Sequence, residues 1–440
     1  MQQNSEQLAP DELLSAWPLL DDEDRVGGFR MLGQQDAEDL FLHLDTGAAA
    51  DLILALPGSE RRLWIRLLPP DDAADLIQAV PAEQREALLT LLDDATRGEV
   101  NALLAYAEDE AGGLMNPRYA RLRPEMSVDE AIRYLRRQSR TSAETVYYAY
   151  VVDHAQHLLG VVSFRQLVTA PPEKTVGDIM ARELVKIPEE MDQEAVSHIF
   201  ADHGYLALPV VDSEGRMKGI VTADDIVDVV KEEATEDIQK IGGTAALDAP
   251  YLEVGRREMF QKRVGWLAVL FVGQMLTASV IGYFQTQLEV ATVLTLFIPL
   301  IISSGGNSGS QASTLVIRAM ALGEVRLRDW WRIMQRELVV GALLGAFLGL
   351  MGLARVFVWK HLFGVYGEHF FRLGLTVCGS VIGVVLWGTL SGSMLPLLLR
   401  RLGFDPASAS TPFVATLCDV IGLVIYFGIA HAILSGTMLP

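Results

Sequence analysis

Asp419 is a carboxylate inside the last hydrophobic stretch of the chain, TPFVATLCDVIGLVIYFGIAHAIL, which contains no Lys or Arg to neutralise it. A charge at membrane depth is costly unless it pairs, faces water or binds an ion, so such residues usually mark functional sites. Two interpretations follow: a protonated carboxyl held between helices, or a carboxylate that faces a water-filled cation path. We predict the second.

A second polar group interrupts an earlier hydrophobic stretch, FIPLIISSGGNSGSQASTLVIRAMALGEV. Pro299 removes a helical hydrogen bond, and the glycines that follow tolerate non-helical backbone. The glycines are Gly305, Gly306 and Gly309. Asn307, Ser310 and Gln311 add polar oxygens, so we expect irregular backbone whose carbonyls and amides hold a hydrated cation. Close packing of helices through small residues is the alternative.

The segment DDIVDVVKEEATEDIQKIGG, residues 224–243, carries seven carboxylates. Like charges three and four residues apart destabilise a helix unless cations intervene. One interpretation is a solvated acidic face. The other is binding of hard divalent cations, which prefer carboxylate oxygen. The position just before the first hydrophobic stretch favours the second interpretation and suggests a role in gating.

Charge divides the chain in two. Residues 256–440 hold 14 Lys and Arg against 8 Asp and Glu, which leaves 22 against 48 for residues 1–255. An acidic surface of this size attracts divalent cations and repels polynucleotides, so we predict no nucleic-acid partner. The N-terminus lacks a secretory signal, and the two cysteines lie in hydrophobic segments, which excludes a disulfide framework.

Five hydrophobic segments, at roughly 264–284, 292–317, 338–359, 373–399 and 412–434, are each long enough to cross an apolar layer about 30 Å thick. Lys and Arg concentrate before the first segment and in alternate loops, at Arg256–Arg263, Arg326–Arg336 and Arg400–Arg401. The positive-inside rule therefore predicts a multi-pass protein of a bacterial inner membrane, with a cytoplasmic N-terminal half and a periplasmic C-terminus.

The predicted fold class is a multidomain α-helical membrane protein. Residues 1–112 show helical periodicity and predict an acidic all-α superhelical domain. Residues 113–230 contain an internal repeat, in which VVD and GVV of the first unit match VVD and GIV of the second at an offset of 59 residues. Each unit predicts strand, helix, strand, turn, strand, helix. A connecting helix, 231–263, and a five-helix pore domain, 264–440, complete the chain.

The repeat resembles a pair of cystathionine-β-synthase (CBS) domains, an α/β tandem that commonly binds adenine nucleotides. ATP is accordingly a candidate ligand. Thr222 and Asp225 fit a Thr-x-x-Asp ribose pattern, which Ser163 and Gln166 break in the first unit. Tyr148 and Arg165 are further candidates for nucleotide contacts, with packing and surface roles as their alternatives.

Three motifs together resemble the MgtE family of magnesium channels and transporters: P-x5-GGN-x-G-x-Q from Pro299, PFVATLCDVIGLVIY, and EEATEDI. The resemblance implies a homodimer embedded in membrane lipid, with the pore between the subunits. It implies that Asp419 binds Mg²⁺, that Ala415 offers its backbone carbonyl and that Asn307 lines the pore. Thr411 departs from an Asn found in better-known members.

The resemblance also implies that cytosolic Mg²⁺ closes the pore by bridging the soluble domains. Gly204 departs from an acidic position of the family. The matching ligand positions are Asp39, Asp71, Asp75, Gly113 by its carbonyl, Asp192, Glu194, Asp225, Asp228, Glu233, Glu236 and Asp237.

We therefore predict a Mg²⁺-gated Mg²⁺ uptake channel and no enzymatic activity, since no catalytic grouping or phosphate loop occurs in the sequence. A coupled secondary transporter of divalent cations, with Asp419 as cation or proton site, is the alternative. A CBS-regulated anion channel is disfavoured, because its pore would need basic groups and we expect the charge deep within the spans to be the negative one of Asp419.

Overall fold

The computed structural model describes residues 9–138, 147–247, 251 and 254–436. The chain forms two compact units, Met1–Lys231 and Glu232–Pro440. Each unit has its own hydrophobic cores, and the two are described separately below.

The first unit begins with short helices that share one apolar core. Their starts follow from the sequence, because Asp21, Asp45 and Asp93 accept hydrogen bonds from the first free N–H groups of the helices they precede. The helices are α1 (Pro10–Ala16), α2 (Asp22–Met31), α3 (Gln34–His43), α4 (Thr46–Ala55), α5 (Gly58–Ile65), α6 (Pro70–Ala79), α7 (Ala82–Leu89) and α8 (Asp94–Leu103). The predicted all-α domain is confirmed.

Two small three-stranded sheets follow the short helix α9 (Ala111–Leu114), and the predicted repeat order is confirmed. In each sheet the first strand runs parallel and the third antiparallel to the middle strand. The first repeat comprises β1 (Arg121–Leu122), α10 (Val128–Gln138), β2 (Tyr148–Val152), β3 (Leu158–Ser163) and α11 (Phe164–Thr169), and α12 (Val176–Ile179) follows it in the chain. The second repeat comprises β4 (Ile187–Pro188), α13 (Gln193–His203), β5 (Ala207–Val211), β6 (Met217–Thr222) and α14 (Ala223–Ile241).

Each of the two repeats has a glycine at the same position of its sheet, and close packing explains why it is a glycine. Val151 pairs with Gly160, and Val210 pairs with Gly219, at the same place in each sheet. A Cβ on Gly160 would lie 2.9 Å from the Ala181 carbonyl oxygen. The matching atom on Gly219 would lie 2.8 Å from the Asn116 carbonyl oxygen. Glycine therefore lets a crossing segment lie directly on each sheet.

The second unit contains five helical segments long and apolar enough to cross a membrane, which confirms the five predicted spans. These segments are Arg256–Tyr283, Thr292–Ala321, Leu327–Phe363, Phe370–Arg401 and Thr411–Leu434. Their α-helices are α15 (Arg256–Tyr283), α17 (Ile298–Ala321), α18 (Trp330–Phe363), α19 (Phe370–Arg401) and α20 (Thr411–Leu434), and α16 (Gln285–Val290) lies between the first two spans.

The expectation of irregular backbone in the second span is wrong. Pro299 stands in the first turn of α17, where proline costs no hydrogen bond, and Gly305, Gly306 and Gly309 lie within a continuous helix. The alternative, close helix packing, is what the glycines provide.

The close packing joins α17 to α19. A Cβ on Gly388 would lie 2.3 Å from the Gly305 carbonyl oxygen, and one on Gly392 would lie 2.1 Å from that of Gly309. The helix backbones therefore touch, as small residues allow in membranes.

Candidate ion-binding site

Asp419 is half-buried and lines a cavity of about 520 Å³ among α15, α17 and α20. Asn307, Ala415 and Thr411 line the same cavity, so the structure brings together the candidate pore residues named from the sequence. The full lining is Thr277, Ile281, Ile298, Pro299, Ile302, Ser303, Gly306, Asn307, Ser310, Thr411, Pro412, Ala415 and Asp419.

Small side chains and hydroxyls hold α17 against the start of α20. A Cβ on Gly306 would lie 3.5 Å from that of Ala415, so the two helices are in contact beside Asn307. Ser310 Oγ donates to the Thr411 carbonyl at 3.3 Å, and buried Ser313 Oγ donates to the Ala409 carbonyl at 2.9 Å. These bonds fix the register that places Asn307 next to the first turns of α20.

The cavity is lined with oxygen donors of the kind that Mg²⁺ prefers. Among the described residues, Asp419 forms no ion pair or hydrogen bond, which leaves its carboxylate available to an ion or its water. The Ala415 carbonyl accepts one helical bond inside α20 and retains a second lone pair. Six water molecules occupy about 180 Å³, so a hydrated ion fits within the cavity.

Asp419 is not the sole charge within the spans, which corrects the premise used against an anion channel. Glu337 and Arg355 lie in α18, inside the span Leu327–Phe363. The Arg355 guanidinium stacks over Phe297 and Trp359, with its carbon 5.6 and 5.4 Å from the ring centroids. Neither charge lines the cavity, so the charge within it is that of Asp419.

Asp72 of α6, a carboxylate missed by the sequence analysis, lies near Asp224, Asp225 and Asp228 of α14. Desolvation and the charges of Asp224 and Asp228 raise the pKa of Asp72. Desolvation also raises the pKa of Asp225 to about 6, with contributions from Asp224 and Asp72 and against two hydrogen bonds from Thr222. The signal was present in the run Asp71–Asp72, but only the helix phase decides which of the pair approaches α14.

Asp71 itself points elsewhere. Its side chain is buried, and its Oδ1 accepts a hydrogen bond of 3.2 Å from Asn116 Nδ2. Asp75 lies one helical turn further along α6 and is half-buried. Asp39 is exposed on α3, where its carbonyl bonds the ring of His43. Asp71 and Asp75 thus share a helix with Asp72, and no described contact brings Asp39 to them.

Gly113 and Asp192 lie on neighbouring segments. Ala111 N donates to the Met191 carbonyl at 2.7 Å, which ties α9 to the residues before α13. Asp192 caps α13 by accepting the Glu194 N–H at 2.9 Å. Glu194 is exposed, with its carboxylate 3.8 Å from His198 Nε2.

Gly204 ends α13 at φ +65°, a left-handed conformation that favours glycine. Its departure from an acidic family position therefore has a backbone reason.

The connecting segment carries the remaining acidic candidates. Asp228 is exposed and pairs with Lys231 at 2.8 Å. Glu236 pairs with Lys240 one turn later, and Glu233 and Asp237 are half-buried. Within the described parts of the chain, no three His, Cys, Asp or Glu side chains lie close enough together to hold a metal ion.

The nucleotide candidates occupy separate places in the CBS pair. Thr222 donates from Oγ1 and N to Asp225 Oδ2 at 2.6 and 3.0 Å, so the Thr-x-x-Asp pair closes on itself. Tyr148 packs into the apolar cluster between the sheets, and Arg165 is exposed on α11. ATP binding stays a prediction.

Comparison with known proteins identifies the family to which the chain belongs. The MgtE family model, described as a divalent cation transporter, matches residues 298–429. The model of the MgtE intracellular N domain matches residues 8–109, and that of the CBS domain matches 111–173 and 176–232. The magnesium transporter MgtE of Thermus thermophilus is 42% identical over 433 residues, which cover 98% of this chain and 94% of that protein. The chain belongs to the MgtE family.

Other MgtE proteins are also similar. The magnesium transporter MgtE of Enterococcus faecalis is 34% identical, over 76% of this chain and 71% of its own. A crystal structure of the cytosolic domain of the Mg²⁺ channel MgtE in complex with ATP is 43% identical, with a TM-score of 0.48, and covers 51% of this chain and 91% of that one. The predicted membership of the MgtE family is confirmed.

Proposed function

We propose that this protein is a homodimeric Mg²⁺ uptake channel of the bacterial inner membrane, closed by cytosolic Mg²⁺. The observation that carries the proposal is the cavity in which the Asp419 carboxylate, without a bonding partner in the described parts of the chain, lies with Asn307 and Ala415. Membership of the MgtE family and the naming of its relatives as magnesium transporters support the choice of ion.

Asp419 acts on the ion through water. Mg²⁺ requires octahedral oxygen at about 2.0–2.1 Å and dehydrates reluctantly, so it binds with most of its water retained. Two Asp419 carboxylates facing each other across a dimer axis attract that hydrated ion and repel anions. The side-chain oxygen of Asn307 and the backbone carbonyl of Ala415 then accept hydrogen bonds from the water molecules that surround the ion.

Cytosolic Mg²⁺ acts on the acidic clusters. Asp72 of α6 approaches Asp224, Asp225 and Asp228 of α14, and neighbouring like charges repel unless a cation screens them. Mg²⁺ therefore stabilises the compact arrangement. Loss of Mg²⁺ favours separation, and the ion shifts the equilibrium only by its differential affinity for the two states.

Equivalent exposed apolar side chains support a homodimer. Val168 on α11 and Val227 on α14 correspond at the repeat offset of 59, and they are 60% and 58% exposed. Paired apolar positions on the same face of both repeats suit a two-fold contact with a second copy.

The proposed arrangement in the membrane follows the charge of the loops. The acidic helical domain 1–112, the CBS pair 113–230 and the connecting helix 231–263 lie in the cytoplasm, and the C-terminus of the pore domain 264–440 lies in the periplasm. Arginines before the first span and in the loop before α18 support this orientation.

Asp419→Ala tests the pore assignment in a strain that needs this protein for Mg²⁺ uptake. We expect loss of growth at low external Mg²⁺, because the cavity loses its charge. Glu337→Gln, which neutralises a carboxylate of the spans that does not line the cavity, is the matched control and should support growth. Full uptake by Asp419→Ala, at normal membrane expression, would overturn the proposal.

A further inference from the structure

Two basic side chains lie near the end of α18 that the charge of the loops assigns to the periplasmic side. Arg355 and Lys360 are both half-buried, and both lie within the apolar span Leu327–Phe363. Among the described residues, no carboxylate forms an ion pair with either side chain. A cation without a counter-charge is costly in a membrane, and the positive-inside rule disfavours cations on this side. The two side chains therefore suit an anion from outside the chain.

Aromatic rings hold both cations in place. The guanidinium carbon of Arg355 lies 5.6 Å from the ring centroid of Phe297 and 5.4 Å from that of Trp359. The Nζ atom of Lys360 lies 5.7 Å from the ring centroid of Phe370. A ring face stabilises a cation but carries no net charge to neutralise it. These three rings, the outer aromatic cluster, thus position the two cations and leave their charge for a ligand.

The outer aromatic cluster connects three spans. Phe297 is fully buried and directly precedes α17, Trp359 belongs to α18, and Phe370 is the first residue of α19. Phe357 packs edge-on against Phe370, with the ring centroids 5.3 Å apart. Ile298, next to Phe297, lines the candidate ion cavity. The cations are therefore held on a packed framework that continues into the wall of that cavity.

The tryptophans of α18 indicate the depth of the two cations. Trp331 and Trp359 are 28 residues apart, which is about 42 Å along a helix. A bilayer with its headgroups is about 40–45 Å thick, and tryptophan prefers the two membrane–water interfaces. Arg355 lies one helical turn inside Trp359, and Lys360 lies directly beyond it. Because long basic side chains extend towards the interface, the two cations flank the level of the lipid phosphates.

We propose that Arg355 and Lys360 bind the phosphodiester of an anionic phospholipid of the outer leaflet, Arg355 from the membrane side and Lys360 from the water side. The inference uses the proposed orientation of the chain and does not depend on ion conduction. Guanidinium and phosphate pair through two parallel hydrogen bonds. A zwitterionic headgroup is disfavoured, because its ammonium meets the charge of Lys360 beyond the phosphate. The bound lipid secures the outer aromatic cluster and, with it, the start of α17.

Quenching of Trp359 fluorescence by brominated lipid measures this preference in the full-length protein. The vesicles contain phosphatidylcholine with an increasing share of brominated phosphatidylglycerol, and Trp359→Phe gives the signal of the other tryptophans for subtraction. We expect phosphatidylglycerol to be preferred by roughly thirtyfold, the equivalent of about 1 kcal/mol for each of two cations. The preference should fall to roughly fivefold in Lys360→Gln and almost disappear in Arg355→Gln with Lys360→Gln.

Arg372→Gln is the matched control, because it removes an exposed cation in the first turn of α19, outside the cluster. It should keep the full preference. Loss of the preference in this control, or its persistence in the double variant, would show only a diffuse attraction of anionic lipid and overturn the site. Relief of quenching by inorganic phosphate would assign the cations to a soluble anion and overturn it as well. Because the measurement does not use flux, failure of the lipid site leaves the proposed channel untouched, and the reverse also holds.

Discussion

At the scale of single residues, the first turn of α14 shows how one capping geometry serves two chemistries. Thr222 N donates to Asp225 Oδ2 at 3.0 Å, as Ser163 N donates to Gln166 Oε1 at 2.8 Å in the first repeat, where Gln166 N also donates to Ser163 Oγ. The sequence difference, which we interpreted as a broken nucleotide motif, preserves the bonds that the backbone N–H and hydroxyl of residue 163 or 222 donate to the side chain three residues later. What changes is charge, because Asp225 adds a carboxylate next to Asp72 and Asp224 where the first repeat has a neutral amide.

The raised pKa of Asp225 predicts a pH-dependent response to Mg²⁺. In the folded protein this pKa is about 6, above the ordinary value of 3.8, so the ionised carboxylate destabilises the fold above about pH 6. The penalty is relieved as the pH falls from 6 towards 3.8. Because Mg²⁺ binds the ionised form, we expect the rise in melting temperature on adding Mg²⁺ to be large at about pH 7.5 and much smaller at about pH 5.

The melting temperature of the full-length protein in detergent can be measured by tryptophan fluorescence, with and without Mg²⁺, at both pH values. Asp225→Asn, which keeps an acceptor for the Thr222 bonds, is expected to reduce both the Mg²⁺ effect and its dependence on pH. An equal Mg²⁺ effect at both pH values in the wild type would show that Asp225 does not participate.

At the scale of helices, the membrane unit is organised around the glycine contacts of α19. Gly388 and Gly392 touch the carbonyls of Gly305 and Gly309, so α17 is held at a fixed distance beside α20 and the cavity. Close backbone contact replaces the hydrophobic effect as the source of specificity between helices in lipid.

Gly392→Ala tests this seam, because its Cβ has no space. We expect a loss of stability of about 1–3 kcal/mol, together with a shift of α17 that weakens ion flux. Gly428→Ala on α20 is the matched control, since nothing lies within 4 Å of its built Cβ. Thermal unfolding in detergent measures both, and equal melting temperatures for the two variants would disprove the close contact.

Three features were predicted from the sequence because each has a strong signal along the chain. Long apolar runs mark the spans, apolar residues at helical spacing mark the N-terminal domain, and an offset of 59 residues marks the repeat. The helical backbone of the second span was not predicted, because Gly305 and Gly306 are compatible both with an irregular backbone and with close contact between helices. The partner that decides between them, Gly388, lies 83 positions away from Gly305 in the sequence. Asp72 was missed for a similar reason, because its neighbours Asp224 and Asp225 are also far from it in the sequence.

At the scale of the whole molecule, the proposed pore requires two copies of the chain. Val168→Glu combined with Val227→Glu places charges on the two equivalent apolar positions of the CBS pair. We expect these charges to shift the protein towards monomer at low concentration, because an interface that buries unpaired carboxylates is strongly disfavoured. Light scattering after size-exclusion chromatography in detergent measures the mass of the complex.

Glu173→Gln, a change on an exposed residue of the same domain, should leave the assembly unchanged. A dimer as stable as that of the wild type in the double variant would place the interface elsewhere.

The most direct test of the central claim is Mg²⁺ flux into liposomes that contain the purified protein, with Mg²⁺ varied independently on each side. We predict flux down the Mg²⁺ gradient with no proton or sodium gradient, suppression by Mg²⁺ on the side of the soluble domains, and loss of flux in Asp419→Asn. Flux that needs a counter-ion gradient would indicate a coupled transporter. Wild-type flux in Asp419→Asn would contradict the account, because the cavity carboxylate would then not be the site through which the ion passes.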